Sequence, residues 1–187
     1  MTSVLRRRRW SLAWLLLIAA LGLLLGWLAS VPLLASDDIG RDGVRVGEPA
    51  PALELEDLDG RLWDLADADA PLVWVNFWAV SCEPCRTEMP AMQLLAETHG
   101  DELLILGVDW GEDPQRVTDF AARLGIEYPI LLDPGLEAFY AWAGSDGLPR
   151  HYFIGAEGTV LREIVGPLEP ARMVEVVDEL LATSLAP

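Results

Sequence analysis

The sequence predicts an α/β domain: a mixed central β-sheet flanked by helices, extended at its N-terminal end by a β-hairpin and preceded by a transmembrane helix. Three observations carry this reading. Between Leu53 and Ala182, short apolar runs of strand character alternate with stretches of helical period, in the order β-β-β-α-β-α-β-α-β-β-α. An apolar run of 26 residues, Trp10 to Ala35, follows four consecutive arginines. The two cysteines of the 187-residue chain stand together as Cys82-Glu83-Pro84-Cys85, directly after a strand pattern and directly before a helix pattern.

The N-terminal run comes first. As a helix it spans roughly 39 Å at about 1.5 Å per residue, enough to cross a ~30 Å hydrocarbon core. Arg6 to Arg9 precede it, and no acid occurs before Asp37. The positive-inside rule then keeps the tail 1–9 in the cytoplasm and exports the C-terminal part. Trp10, Trp14 and Trp27 suit the membrane interfaces. A cleaved signal peptide is the rival reading. Its apolar core is usually shorter, and the best cleavage site, after Ala35, has the large Leu33 at the minus-three position. The expected organisation is a basic tail 1–9, an anchor 10–35, a tether 36–47 and a domain 48–187. The domain is expected to face outward, where disulfides form.

In the domain, Leu53-Glu54-Leu55-Glu56 alternates apolar and polar, Asp57-Leu58-Asp59-Gly60 is a turn, and Arg61 to Leu65 resumes the alternation. That is a β-hairpin. Leu72 to Trp78 is nearly all apolar, as suits a central strand covered on both faces. A helix follows from about Pro84 to Thr98, with Met89, Met92, Leu95 and Ala96 on one face and a kink expected at Pro90. Leu103 to Trp110 is a second buried strand. Asp113-Pro114 starts a helix with Val117, Phe120, Ala121 and Leu124 on one face. Ile130 to Leu132 is a short strand and Leu136 to Trp142 a short helix. Arg150 to Ile154 and Val160 to Val165 form a second hairpin around Ala156-Glu157-Gly158. The last helix, about Pro170 to Ala182, presents Met173, Val176, Val177, Leu180 and Leu181 to the core.

Charge narrows the partners. Beyond Arg6–Arg9 the chain carries 9 arginines, no lysine and 30 acids, a formal charge of −21. Such a field argues against nucleic acid and anionic membrane surfaces. It favours a basic partner, or is simply a solvated acidic surface.

Two cysteines are too few for a disulfide scaffold and suit one functional pair. A cysteine at a helix start meets unpaired N–H groups and the positive end of the helix dipole, which favour the reactive thiolate. Attack is therefore assigned to Cys82. Cys85, one turn later, resolves the mixed disulfide. Glu83 and Pro84, between them, are the expected redox tuners. The Glu83 carboxylate opposes a second negative charge and so disfavours thiolate. That points to a reductant, with a potential of about −250 mV or lower rather than near about −120 mV. A zinc site would need two more ligands, and His99 and His151 lack the spacing. No metal and no organic cofactor is expected.

The stretch Val75-Asn76-Phe77-Trp78-Ala79, then Cys82-Glu83-Pro84-Cys85-Arg86-Thr87-Glu88-Met89-Pro90, closely resembles thioredoxin-like proteins of the TlpA/ResA/DsbE type. Gly147-Leu148-Pro149, followed by Tyr152-Phe153-Ile154 and Gly158, resembles the cis-proline segment and terminal hairpin of that family. The resemblance covers about Val46 to Leu181. It implies a thioredoxin fold and a membrane-tethered reductase outside the cytoplasm that often serves apocytochrome c maturation. It also implies protein disulfide substrates and a thiol-relay membrane protein as electron donor. By position, Cys82 is similar to the nucleophile, Cys85 to the resolving thiol, and Pro149 to a cis-proline facing the dithiol, which leaves the Leu148 backbone for a substrate strand. Glu88 matches an acidic residue of the type. Thioredoxins themselves carry a buried Asp where this chain has Asn76, which takes no proton, so Glu88 becomes the candidate proton acceptor for Cys85.

Two positions depart from the family. Ser81 replaces a Trp before the first cysteine. Arg150-His151 replaces the Thr or Ser that usually follows the cis-proline, and a basic pair there would stabilise thiolate or read an acidic substrate. The rival functions are a general exported disulfide reductase or oxidase unrelated to cytochromes, and a non-catalytic thioredoxin-fold adaptor or copper-handling protein. Copper handling of the related type needs C-x-x-x-C and a placed His, and the chain has C-x-x-C.

Overall fold

The computed structural model describes residues 43–144 and 147–184, together with Trp14, Leu16, Leu17 and Ala20, which are helical. The tail 1–9, nearly all of the expected anchor 10–35, and the tether as far as residue 42 lie outside the described residues. Among the described residues no helix is long and apolar enough to cross a membrane. The chain divides into two units, Met1–Ile39 and Gly40–Pro187.

In the second unit, β1 (Glu54–Glu56) and β2 (Leu62–Asp64) pair antiparallel as a two-stranded sheet of their own. Asp57 builds their turn. Its carboxylate accepts the N–H groups of Asp59 and Arg61, each at 2.9 Å, and the Trp63 indole at 2.8 Å.

The main sheet has five strands in the order β5-β4-β3-β6-β7. Here β3 is Leu72–Trp78, β4 is Leu103–Asp109, β5 is Ile130–Leu132, β6 is Arg150–Gly155 and β7 is Val160–Val165. β3, β4 and β5 run parallel; β6 is antiparallel to β3, and β7 to β6. The helices are α1 (Glu83–His99), α2 (Pro114–Leu124), α3 (Glu137–Ala143) and α4 (Pro170–Ser184). The mixed sheet with flanking helices is the expected thioredoxin-like arrangement.

Period-2 alternation splits the core between the two faces of the sheet. Leu72, Trp74 and Trp78 of β3 meet Met89, Met92 and Leu95 of α1, Phe120 of α2, and Met173, Val176 and Val177 of α4. Val73, Val75 and Phe77 meet Phe139 and Trp142 of α3 and Tyr152 of β6 on the other face. All seven residues of β3 are buried. That is why its sequence, apart from Asn76, is apolar rather than alternating. The second face is aromatic, with Phe77 edge-on to Phe139 and Tyr152 and Trp142 edge-on to Tyr152 at 5.2 Å.

Helix ends follow local chemistry. The Asp113 carboxylate caps α2 by accepting the Arg116 N–H at 3.1 Å, Pro114 opens the helix, and left-handed Gly125 closes it. α1 runs unbroken through Pro90, where a kink is expected. The end of the expected tether is docked rather than free. Val44 is buried, and its N–H bonds the Trp142 carbonyl at 2.8 Å. At Gly43 a Cβ would come within 2.5 Å of that same carbonyl oxygen, at a φ of +63°, so the approach requires glycine.

Candidate active site

The dithiol motif sits where β3 gives way to α1, at the C-terminal end of the central strand. Cys82 caps the helix. It has extended backbone angles, and its sulfur accepts the Cys85 N–H at 3.3 Å. The two cysteines are joined as a disulfide. Cys82 is half-buried, whereas Cys85 is 1% exposed. An incoming disulfide can therefore reach Cys82 and not Cys85, and the helix N-terminus stabilises thiolate at the reachable sulfur.

Glu83 and Pro84 are exposed in the first turn of α1. Glu83 forms an ion pair with Arg86. Its charge is thus partly compensated as well as solvated, and its pull on the dithiol is weaker than the sequence alone implies. Arg86 was visible one turn on, but only the geometry pairs the two.

The loop before Cys82 is held from a direction the sequence reading missed. Glu112, just after β4, accepts the N–H groups of Val80 and Ser81, the latter at 3.3 Å. Its own N–H donates to Asp109 Oδ2 at 2.7 Å, and Arg116 Nη1 lies 3.2 Å from its carboxylate. Burial pushes the Asp109 carboxyl up to about 6, against the lowering effect of the Glu112 N–H. An acid at the C-terminal end of the strand beside β3 was the available signal.

The Leu148–Pro149 peptide bond is cis. Pro149 immediately precedes β6, whose Arg150 pairs with Phe77 of β3. The bond therefore lies at the sheet end from which the cysteine loop departs. Leu148 and Cys82 both pack against the same core cluster.

Arg150 and His151 do not form a basic pair beside the sulfurs. Successive strand residues point to opposite faces. Arg150 reaches Glu163 of β7 at 3.0 Å and the Gly147 carbonyl at 3.3 Å. His151 is fully buried on the α1 face, with its ring centroid 5.7 Å from that of Trp74.

There it meets two residues that the sequence had singled out for other reasons. Asn76 Nδ2 stands 3.1 Å from His151 Nδ1 and 3.3 Å from the Arg150 carbonyl. Glu88, one turn beyond Cys85 and 5% exposed, places Oε2 3.4 Å from His151 Nε2. Its Oε1 accepts the Leu168 N–H at 2.5 Å. Burial raises the Glu88 carboxyl to about 7; the Leu168 N–H opposes the shift and the charge of Glu169 adds to it. Burial lowers His151 to about 4, against an upward pull from the Gly166 backbone. Glu88 is therefore a buried carboxyl poised near neutrality behind a buried thiol, which is what a proton acceptor needs.

Among the described residues no group of three or more His, Cys, Asp or Glu side chains is placed to hold a metal ion.

Known proteins share this arrangement. Residues 46–162 match the AhpC/TSA family. The chain is 35% identical over 139 residues to the thiol:disulfide interchange protein HelX of Rhodobacter capsulatus, covering 73% of this chain and 77% of that protein. It is 35% identical over 155 residues to the thiol-disulfide oxidoreductase ResA of Geobacillus thermodenitrificans, covering 82% and 84%. Among solved structures, a thioredoxin-family thiol:disulfide interchange protein of Chlorobium tepidum superposes with a TM-score of 0.65 at 31% identity, over 74% of this chain and 99% of that one. With a half-buried cysteine capping a helix, a buried partner one turn on and relatives of this kind, the chain belongs to the thioredoxin-like AhpC/TSA family and is a thiol–disulfide oxidoreductase of the HelX/ResA type.

Proposed function

We propose that this oxidoreductase is an exported, membrane-tethered reductase of protein disulfides, with apocytochrome c among its substrates. The observation that carries the reading is Glu88, a buried carboxyl raised to about 7 and set one helical turn behind the buried Cys85. Such a group takes a proton from a thiol that has no access to water.

The exchange runs in two displacements. The Cys82 thiolate attacks one sulfur of the substrate disulfide. The other substrate sulfur leaves as thiolate and takes a proton from solvent. Cys85 then gives its proton to the Glu88 carboxylate, and its thiolate attacks the Cys82 sulfur. The second substrate sulfur leaves, and Cys82–Cys85 is left as a disulfide. Two electrons have passed to the substrate, and a thiol-relay protein in the membrane returns them.

Pro149 faces the dithiol and leaves the Leu148 backbone to a substrate strand. Glu83 still tilts the pair towards reduction, by less than it would without Arg86. The apolar run behind Arg6–Arg9 supports anchoring with the domain outside the cytoplasm. The acidic domain suits a basic substrate protein. The apocytochrome assignment rests on the family resemblance of the motif.

The test is a trap. Cys85→Ser in the full chain is expected to accumulate mixed disulfides through Cys82, identified by mass spectrometry. Peptides with the heme-attachment pattern C-x-x-C-H support the cytochrome reading. Other exported proteins in their place favour a general reductase. No trapped protein at all rejects the two-step exchange.

A further inference from the structure

The exchange above uses Glu88 and leaves two buried polar neighbours, Asn76 and His151, without a part. Their geometry fixes which nitrogen of His151 carries a proton. Asn76 faces the Arg150 carbonyl at 3.3 Å, and a carbonyl only accepts. The Asn76 atom there is therefore the amide NH2. The same nitrogen stands 3.1 Å from His151 Nδ1. Nδ1 must accept, so in the neutral ring Nε2 bears the hydrogen. Nε2 lies 3.4 Å from Glu88 Oε2 without hydrogen-bonding it, and both atoms are buried with no hydrogen-bond partner among the described residues.

We infer that His151 is a positioning residue for Glu88: with its tautomer fixed by Asn76, it keeps an unpartnered Nε2–H beside Oε2, placed to hydrogen-bond the carboxylate behind Cys85 when Glu88 ionises. This deepens the proposed function and rests on Glu88 being the proton acceptor.

The surroundings of Glu88 leave this task to His151. Leu168 supplies one N–H, to Oε1. Glu169, ahead of α4, repels the charge. Tyr128, ahead of β5, is kept neutral by burial and by Glu88 itself. Cys85 on α1 is the proton donor. None of these is a cation, so hydrogen bonding is what can oppose burial, and Nε2 stands 3.4 Å from the unpartnered Oε2.

The test uses the full chain, reduced, in detergent micelles, labelled with 13C and 15N. The His151 ring nitrogens are expected to report the neutral Nε2–H tautomer at pH 7; an Nδ1–H tautomer or an imidazolium overturns the inference. The Glu88 Cδ resonance is expected to titrate near pH 7. In His151→Leu its midpoint rises by about one unit, the size of effect a hydrogen bond to a charged group has. His151→Gln, which keeps an N–H donor, restores part of the shift. A Glu88 midpoint equal in wild type and His151→Leu overturns the inference.

The single-turnover rate at pH 7 separates this from the parent reading. It is expected to fall about fivefold in His151→Leu, from the smaller ionised fraction, and to recover at higher pH. If the midpoint moves and the rate does not, His151 still tunes Glu88, and it is the acceptor role of Glu88 that fails.

Discussion

Arg150 and His151 are neighbours in the chain and opposites in the fold. Arg150 lies on the aromatic face of the sheet in a closed ion pair with Glu163 at 3.0 Å. The Tyr152 hydroxyl stands 3.1 Å from that carboxylate and 3.1 Å from the Trp142 carbonyl. Each charge there has its counter-charge. His151 lies on the α1 face against Glu88, where two polar atoms look at each other across 3.4 Å and no opposite charge balances them. Burial moves both groups towards their neutral forms, one up and one down. A compensated pair contributes structure. An uncompensated one is a place where a proton can be held and moved. The second includes Glu88, one helical turn beyond Cys85.

The largest way to break this contrast is to remove one member of the titrating pair and follow stability with pH. Glu88 titrates near 7 when folded and near 4.5 when unfolded, so the folded chain holds more protons in that window and stability falls as pH rises through it. His151 titrates near 4 when folded and near 6.5 when unfolded, so stability falls as pH drops through that window. In the wild type the two slopes nearly cancel. Glu88→Gln is expected to leave the His151 slope, losing about 3 kcal/mol relative to wild type between pH 7 and pH 4.5. His151→Leu is expected to lose about as much in the opposite direction, between pH 4.5 and pH 7. Urea denaturation at a series of pH values, read as differences from wild type, checks both. Asp109, raised to about 6, contributes equally to all three proteins. Parallel curves for the three would remove the contrast.

On the Arg150 side effects are smaller. Glu163→Ala is expected to destabilise by about 2 kcal/mol in urea denaturation, with disulfide reduction by the folded protein unchanged. Tyr152→Phe is expected to cost about 1 kcal/mol in the same assay, again without effect on the rate. A loss of turnover in either variant would mean that this face also serves the chemistry.

Much of the fold was legible because its signals are local. The run Leu72–Trp78, the Asp113-Pro114 cap, the two hairpins and the cysteine pair at a strand-to-helix junction each sit within a few residues of sequence. The polar site was not, because its contacts are long-range. Asn76 meets His151 across 75 positions, Glu88 meets Leu168 across 80, and Glu112 meets Val80 across 32. Reading Arg150-His151 as one basic patch ignored strand alternation. Position 151 shares its face with Phe153, and 150 with Tyr152 and Ile154. That signal was in the sequence. Glu83 was read alone, without Arg86 one turn away. The expected membrane anchor falls on residues outside those described, so its support is the sequence pattern.

The central claim is that Glu88 takes the Cys85 proton. The most direct measurement is the single-turnover reduction of a disulfide peptide across pH 5 to 9, in wild type and Glu88→Gln. The wild-type rate is expected to rise through an inflection near pH 7, where the carboxylate forms. In Glu88→Gln that inflection should vanish and the rate at pH 7.5 fall on the order of 100-fold, the lower end of what a positioned general base contributes. Superimposable profiles for the two proteins would contradict the account.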